Sequence, residues 1–257
     1  MKKVLIVLLV LSITITVYAV YIGAGVTFVR PLHPQVNSVG LVFHYKMWDG
    51  FMTTNTVFDY SLNENQGTSA GFVTPEYPGF DFTSGVINAG SGAVIDDVFD
   101  GGGTLSTWLR PESQGPTNDG RVADKSRNGN EGWRLFCPGS DTTLEFHMVT
   151  DGVDGEWTFP IDMIVDVWQH VVITYNADAT ANNPLVYING LAVVVTETGT
   201  PNDTRTSDAG NTLYLGSEAS GGNYYDGSMD DFMLFNRILS AVEARNIYEV
   251  TKWRYQR

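Results

Sequence analysis

Asp59, Ser61, Asn63 and Asn65 set oxygen-bearing side chains at alternate positions ahead of Gly67. A hard cation such as calcium takes about six to eight oxygen ligands from carboxylates, amides, carbonyls and water, so this loop supplies part of such a shell and not all of it. It departs from the helix–loop–helix calcium pattern, because Ala70 stands where a bidentate Glu is required. The same composition serves a plain turn whose Asn and Asp groups bond their own backbone. The residues alone leave both readings open. A second acidic loop, Asp96, Asp97 and Asp100 before Gly101-Gly102-Gly103, reads as solvated.

Catalytic chemistry is poorly served. Glycoside hydrolysis needs two carboxylates flanking the scissile bond, about 5–5.5 Å apart for retention and farther for inversion. The nearest approach is Leu144-Glu145-Phe146-His147-Met148, which puts Glu145 and His147 on one strand face without a third acid. His33, His44, His147 and His170 are scattered, with no two at zinc-ligand spacing. There is no nucleophile elbow, and the triple glycine lacks the lysine of a phosphate loop. We therefore assign no catalytic residues and expect a protein that is not an enzyme. Sugar recognition stacks aromatic faces on apolar sugar faces while polar groups fix orientation. Trp48, Trp133, Trp157 and Tyr224 are the candidates, since Trp108 and Trp168 read as core.

The 257 residues carry a net charge of −14, which repels phosphate backbones, and no basic stripe offsets it, so nucleic acid is excluded as a partner. Cys137 is the only cysteine, so no intrachain disulfide forms. Met1-Lys2-Lys3 precedes an uncharged apolar run from Val4 to Val29, which has the form of a secretion signal with small residues Val17 and Ala19 before a cut. The run is also longer than the roughly 20 residues that span a bilayer, so residues 1–29 are expected to be a signal peptide or a membrane anchor. With Lys2 and Lys3 held inside, the remainder is secreted or anchored on the extracytoplasmic side. Residues 30–40, with Pro31 and Pro34, read as a linker.

Between 41 and 250, short β-branched and aromatic runs alternate with Gly, Asn and Asp clusters, the pattern of an all-β sandwich. Thr104 to Arg110, Gly132 to Phe136, Thr143 to Val149, Trp168 to Tyr175, Leu185 to Ile188, Leu191 to Thr196 and Thr212 to Leu215 are strands, and Asp59 to Gly79 is turn-rich. Asn189-Gly190 predicts a type I′ hairpin over Leu185 to Thr196. Both faces of Trp168 to Tyr175 carry apolar groups, as in a central strand. Ser240 and Glu243 have capping-box spacing ahead of a short C-terminal helix. Residues 251–257 form a basic tail, expected to fray.

Five segments in order, Gly40 to Tyr45, Asp59 to Gly67, Thr104 to Pro111, Trp168 to Tyr175 with Tyr187 to Gly190, and Tyr224 to Ser240, resemble successive signatures of the laminin G-like, concanavalin A-like jelly-roll family. The resemblance implies two stacked antiparallel sheets closed by the strand containing Asp230 and Asp231, and rim loops that carry calcium in many members. It also suggests where a second calcium contribution would come from: Asp230 and Asp231, joining Asp59, Asn63 and Asn65. A glycan or glycoprotein partner is the expectation. The alternative is a surface, filament or virion subunit that self-associates on the same jelly roll, and a glycanase is third.

Overall fold

The computed structural model describes residues 37–47, 55–126, 129–140, 142–163, 166–218 and 221–256. The expected N-terminal hydrophobic helix, residues 30–36 of the linker, and Trp48 lie outside the described residues. Among the described residues there are fifteen strands and one α-helix. The strands are β1 (Leu41–Tyr45), β2 (Thr56–Val57), β3 (Gly67–Pro75), β4 (Phe80–Gly90), β5 (Gly103–Ser113), β6 (Arg121–Asp124), β7 (Trp133–Phe136), β8 (Thr143–Met148), β9 (Gly155–Pro160), β10 (Gln169–Tyr175), β11 (Leu185–Ile188), β12 (Leu191–Ala192), β13 (Thr196–Gly199), β14 (Leu213–Leu215) and β15 (Asp226–Phe235). The helix, α1 (Ala241–Thr251), follows.

The strands hydrogen-bond in the order β12-β11-β10-β5-β15-β4-β14-β6-β7-β8-β9-β13, with β1 on β15 and β2–β3 on β4, and every strand pair is antiparallel. The two layers of the sandwich are thus halves of one curled sheet rather than two separate sheets. Strand alternation explains the core: Leu105 and Leu109 of β5, Val171, Ile173 and Tyr175 of β10, Trp133 and Leu135 of β7, and Leu144 and Phe146 of β8 converge between the layers.

Central β10 lies between β5 and β11, and all seven of its residues are buried. Its outer face is covered because α1 packs there, with Ala244 against Val172 and Tyr187. The helix starts at a capping box: Ser240 Oγ accepts from Glu243 N, and Glu243 Oε2 accepts from Ser240 N. The β11–β12 hairpin turns on Asn189 (φ 51°) and Gly190 (φ 76°), both positive as a type I′ turn requires.

Three expectations change. The segment read as turns from Asp59 to Gly79 gives up its second half to β3, an edge strand whose small and exposed residues hide the alternation. The tail does not fray. Lys252–Arg254 continue as a 3-10 turn, and Arg254 and Tyr255 are only 6% and 8% exposed. Tyr255 stacks on Trp108 with ring centroids 4.0 Å apart, and Trp108 Nε1 donates to Thr251 Oγ1 at 2.8 Å. Trp168, expected in the core, is half-buried beside Tyr255.

Candidate functional site

The β1–β15 pairing brings the two halves of the expected calcium set to either side of His44. Asp59 Oδ1 accepts from the backbone N–H groups of His44 and Ser61, both at 2.8 Å, while Oδ2 accepts from Ser61 Oγ (2.7 Å) and Asn65 N (2.9 Å). The Nδ2 atoms of Asn63 and Asn65 donate to carbonyls of Leu41 and Val42. On the other side His44 Nε2 donates to Asp231 Oδ1 at 2.9 Å, and Arg254 pairs with Asp231 Oδ2. Asp230 accepts from Met47 N, Asp231 N and Tyr255 OH.

Burial raises the pKa of both aspartates. For Asp231 the His44 hydrogen bond and the Arg254 charge outweigh burial and hold it below the usual carboxylate range, whereas Asp230, with the Asp231 charge beside it, stays raised. Calcium needs oxygens with free lone pairs. Here three carboxylates are filled by N–H and O–H donors and one carries a guanidinium, so this donor set does not fit a calcium ion. Asp59, Asn63 and Asn65 stitch a turn onto β1. Asp230 and Asp231 anchor the C-terminal segment.

The acidic loop after β4 is likewise engaged rather than solvated. Lys125 Nζ, fully buried, reaches Asp96 Oδ1 (2.7 Å), Asn211 O (2.7 Å), Asp208 O (3.1 Å) and Asp208 Oδ1 (3.2 Å). Arg205 pairs with Asp97 and Asp100. This clasp backs a shallow groove of about 310 Å³, open mouth included, lined in part by Thr150, Tyr175, Asp178, Asp203 and Thr204.

Of the aromatic candidates, Trp133 and Trp157 are 0% exposed. Strand alternation turns them inward with Leu135 and Phe159, so neither meets a sugar. Tyr224 is half-buried and forms a backbone bridge to Arg121. It adjoins the most unusual polar surface of the domain.

That surface is the outer face of β6–β9. Because the alternate residues point into the core, two cross-strand rows point outward: Arg121, Phe136, Glu145 and Thr158, then Asp124, Arg134, His147 and Glu156. The guanidinium carbons of Arg121 and Arg134 lie 4.4 and 5.3 Å from the Phe136 ring centroid. Arg121 Nη2 donates to Asp119 Oδ2 at 3.0 Å, and its Nε is 3.4 Å from Asp124 Oδ2. Burial lowers the Arg121 pKa and raises those of Asp119 and Asp124. Among the described residues four buried polar atoms here, Arg121 Nε and Nη1, Arg134 Nε and Asp119 Oδ1, have no hydrogen-bond partner. Three are donors and one is an acceptor. A hydroxyl, which donates and accepts at once, meets that mixed demand, whereas a bare anion or cation meets half of it.

Beside them, Arg134 Nη2 lies 3.0 Å from His147 Nδ1. A guanidinium can only donate, so Nδ1 is the acceptor, and Nε2 carries the proton that it donates to Asp154 Oδ2 at 2.9 Å. Glu145 Oε1 and Glu156 Oε1 flank Nδ1 at 3.5 and 3.8 Å. Glu156 is the third acid absent from the Glu145 strand. It arrives from β9 through the His147–Glu156 pairing, which spacing along one strand does not reveal.

Fold and face together define an antiparallel jelly roll with one layer covered by a helix and the other bearing a closely packed polar face. No curated protein matches the chain. The profile of the concanavalin A-like lectin/glucanases superfamily matches residues 84–245, and the chain belongs to that family.

Among solved structures, the chain is similar to the receptor binding domain of botulinum neurotoxin mosaic serotype C/D at 17% identity and TM-score 0.63, covering 84% of this chain and 52% of that one. It is also similar to the binding domain of botulinum neurotoxin DC in complex with SialylT (16%, 0.58, 84% and 52%). The same toxin domain in complex with rat synaptotagmin II matches as well (17%, 0.59, 82% and 51%). The chain spans about half the length of these structures, and at such identity the likeness establishes a shared fold.

Proposed function

We propose that this domain is an extracytoplasmic binding module that takes a glycan or glycoprotein on the outer face of β6–β9. The observation that carries the reading is the cluster of buried, unmatched donors and acceptor on Arg121, Arg134 and Asp119, with Tyr224 at its edge. The family includes lectins, and similar domains are solved with a sialylated sugar or a protein receptor. The apolar segment behind Lys2 and Lys3 supports an extracytoplasmic setting. Among the described residues no helix is long and apolar enough to cross a membrane. Binding without turnover is the reading, in keeping with neighbours that are binding domains.

A glycan and glycoprotein array tests it, with hits titrated against R121K, which keeps the charge but loses the fork, and Y224A. Each variant is expected to weaken binding about tenfold or more while melting near the parent temperature. An array without hits, or hits indifferent to both changes, overturns the proposal. Assembly of copies is a second reading. It rests on Leu191 and Val194, 63% and 81% exposed at and just beyond the sheet-edge strand β12, and light scattering of the parent against V194K tests it.

A further inference from the structure

We infer that Glu145, His147 and Glu156 form a site for one divalent ion of the zinc class, entered by displacing the Arg134 guanidinium. The site shares Arg134 with the proposed glycan face but does not rest on that reading and has its own test. Its ligand atoms, His147 Nδ1 and one oxygen of each glutamate, all lie within 4.8 Å of one another. The 3.5 and 3.8 Å separations from Nδ1 are long for hydrogen bonds. Zinc bonds of about 2.0–2.1 Å in a tetrahedron place neighbouring ligand atoms roughly 3.4 Å apart, so the two contacts to Nδ1 are already near that spacing and the two glutamate oxygens, no more than 4.8 Å apart, complete the set by rotating toward each other.

Three further features suit a metal. Asp154 accepts the Nε2 hydrogen bond and leaves Nδ1 unprotonated and flanked by the two glutamates, the arrangement that orients metal-binding histidines elsewhere. Among the described residues neither glutamate has an arginine or lysine partner within 4 Å, so two carboxylates converge on a neutral imidazole. His147 is 3% exposed and the side chains of Glu145 and Glu156 are 12% and 39% exposed, which closes the site on one side and leaves an entry on the other. All three ligands sit on the paired strands β8 and β9, so little ordering is required on binding.

Arg134 is the built-in competitor. Its Nη2 now holds the Nδ1 lone pair, and its Nε has no protein partner. Its cross-strand neighbours are His147 on one side and Asp124 on the other, so the guanidinium has a carboxylate to turn to when the ion enters. One imidazole and two carboxylates suit zinc, cobalt or manganese and are too few and too nitrogen-rich for calcium.

The test is calorimetric titration of the chelator-treated full chain with zinc, paired with the visible spectrum on adding cobalt. The expected result is one ion per chain and a tetrahedral cobalt band. H147Q and E156Q should each lose the ion, D154N should weaken it about ten- to a hundredfold, and R134L should tighten it at least about tenfold by removing a neighbouring positive charge. Absence of saturable binding by the parent and by R134L overturns the inference, as does binding that H147Q and E156Q leave intact. If a variant fails to fold, the stoichiometry and cobalt spectrum of the parent still decide.

Discussion

Replacing Lys125 with methionine keeps the length of the stem and removes the charge at the centre of the rim clasp. Its ammonium is fully buried among four oxygens, and the Asp208 side chain it contacts is 1% exposed. Burial already raises the Asp208 pKa, and Lys125 and Arg205 oppose that rise. Removing one partner of a buried ion pair costs about 3–5 kcal/mol. Arg205 Nη1, 3.6 Å from Asp208 Oδ2, remains as a distant partner and favours the lower end. That is a large part of a total stability of about 5–15 kcal/mol, and for a domain of this size it lowers the melting temperature by roughly 6–20 °C. Urea unfolding of the parent, K125M, D208N and the double variant forms a cycle, and the double variant should recover part of the loss because the buried Asp208 charge is removed with the lysine, while Asp96, 15% exposed, still loses its ammonium. A loss from K125M below about 1 kcal/mol, or no recovery in the double variant, would refute the clasp as a buried ion pair.

Asp231 is held below the ordinary carboxylate range in the fold, so its stabilisation is complete above that range and is lost as pH falls through its depressed value. Asp230, raised, works in the opposite direction: its ionisation in the fold costs stability as pH rises through its higher value. Unfolding curves for D231N across acid pH should start about 3–5 kcal/mol lower and lose the acid-dependent drop of the parent. Gly190→Ala should cost about 1–2 kcal/mol by thermal melting, because φ is 76° and an added Cβ would sit 3.0 Å from Tyr248 Cδ1. Millimolar calcium should leave the melting temperature of chelator-treated protein unchanged, since the Asp59 and Asp230–Asp231 oxygens are already bonded; a saturable rise would contradict that assignment.

What the sequence discloses depends on how local the physics is. Asn189-Gly190 names its own turn because positive φ belongs to those two residues. Ser240 and Glu243 name the helix start because each bonds the other's backbone. The Asp59 loop was ambiguous in principle, since turns and calcium loops draw on the same residues. Only the donors arriving from His44, Ser61 and Asn65 distinguish them. Trp133 and Trp157 needed strand register before their direction could be read. Arg254 and Tyr255 looked like tail residues because their partners, Asp230 and Asp231, lie over twenty positions upstream. Glu156, Asp154 and Arg134 carried no signal at all as neighbours of His147, because cross-strand pairing assembles that group.

Asn37 bonds to Glu243 at the start of α1, and the other end of the domain lies under the same helical cover. The described domain therefore begins and ends beside α1, on the layer that carries β10 and β11, and leaves the β6–β9 layer free of both ends.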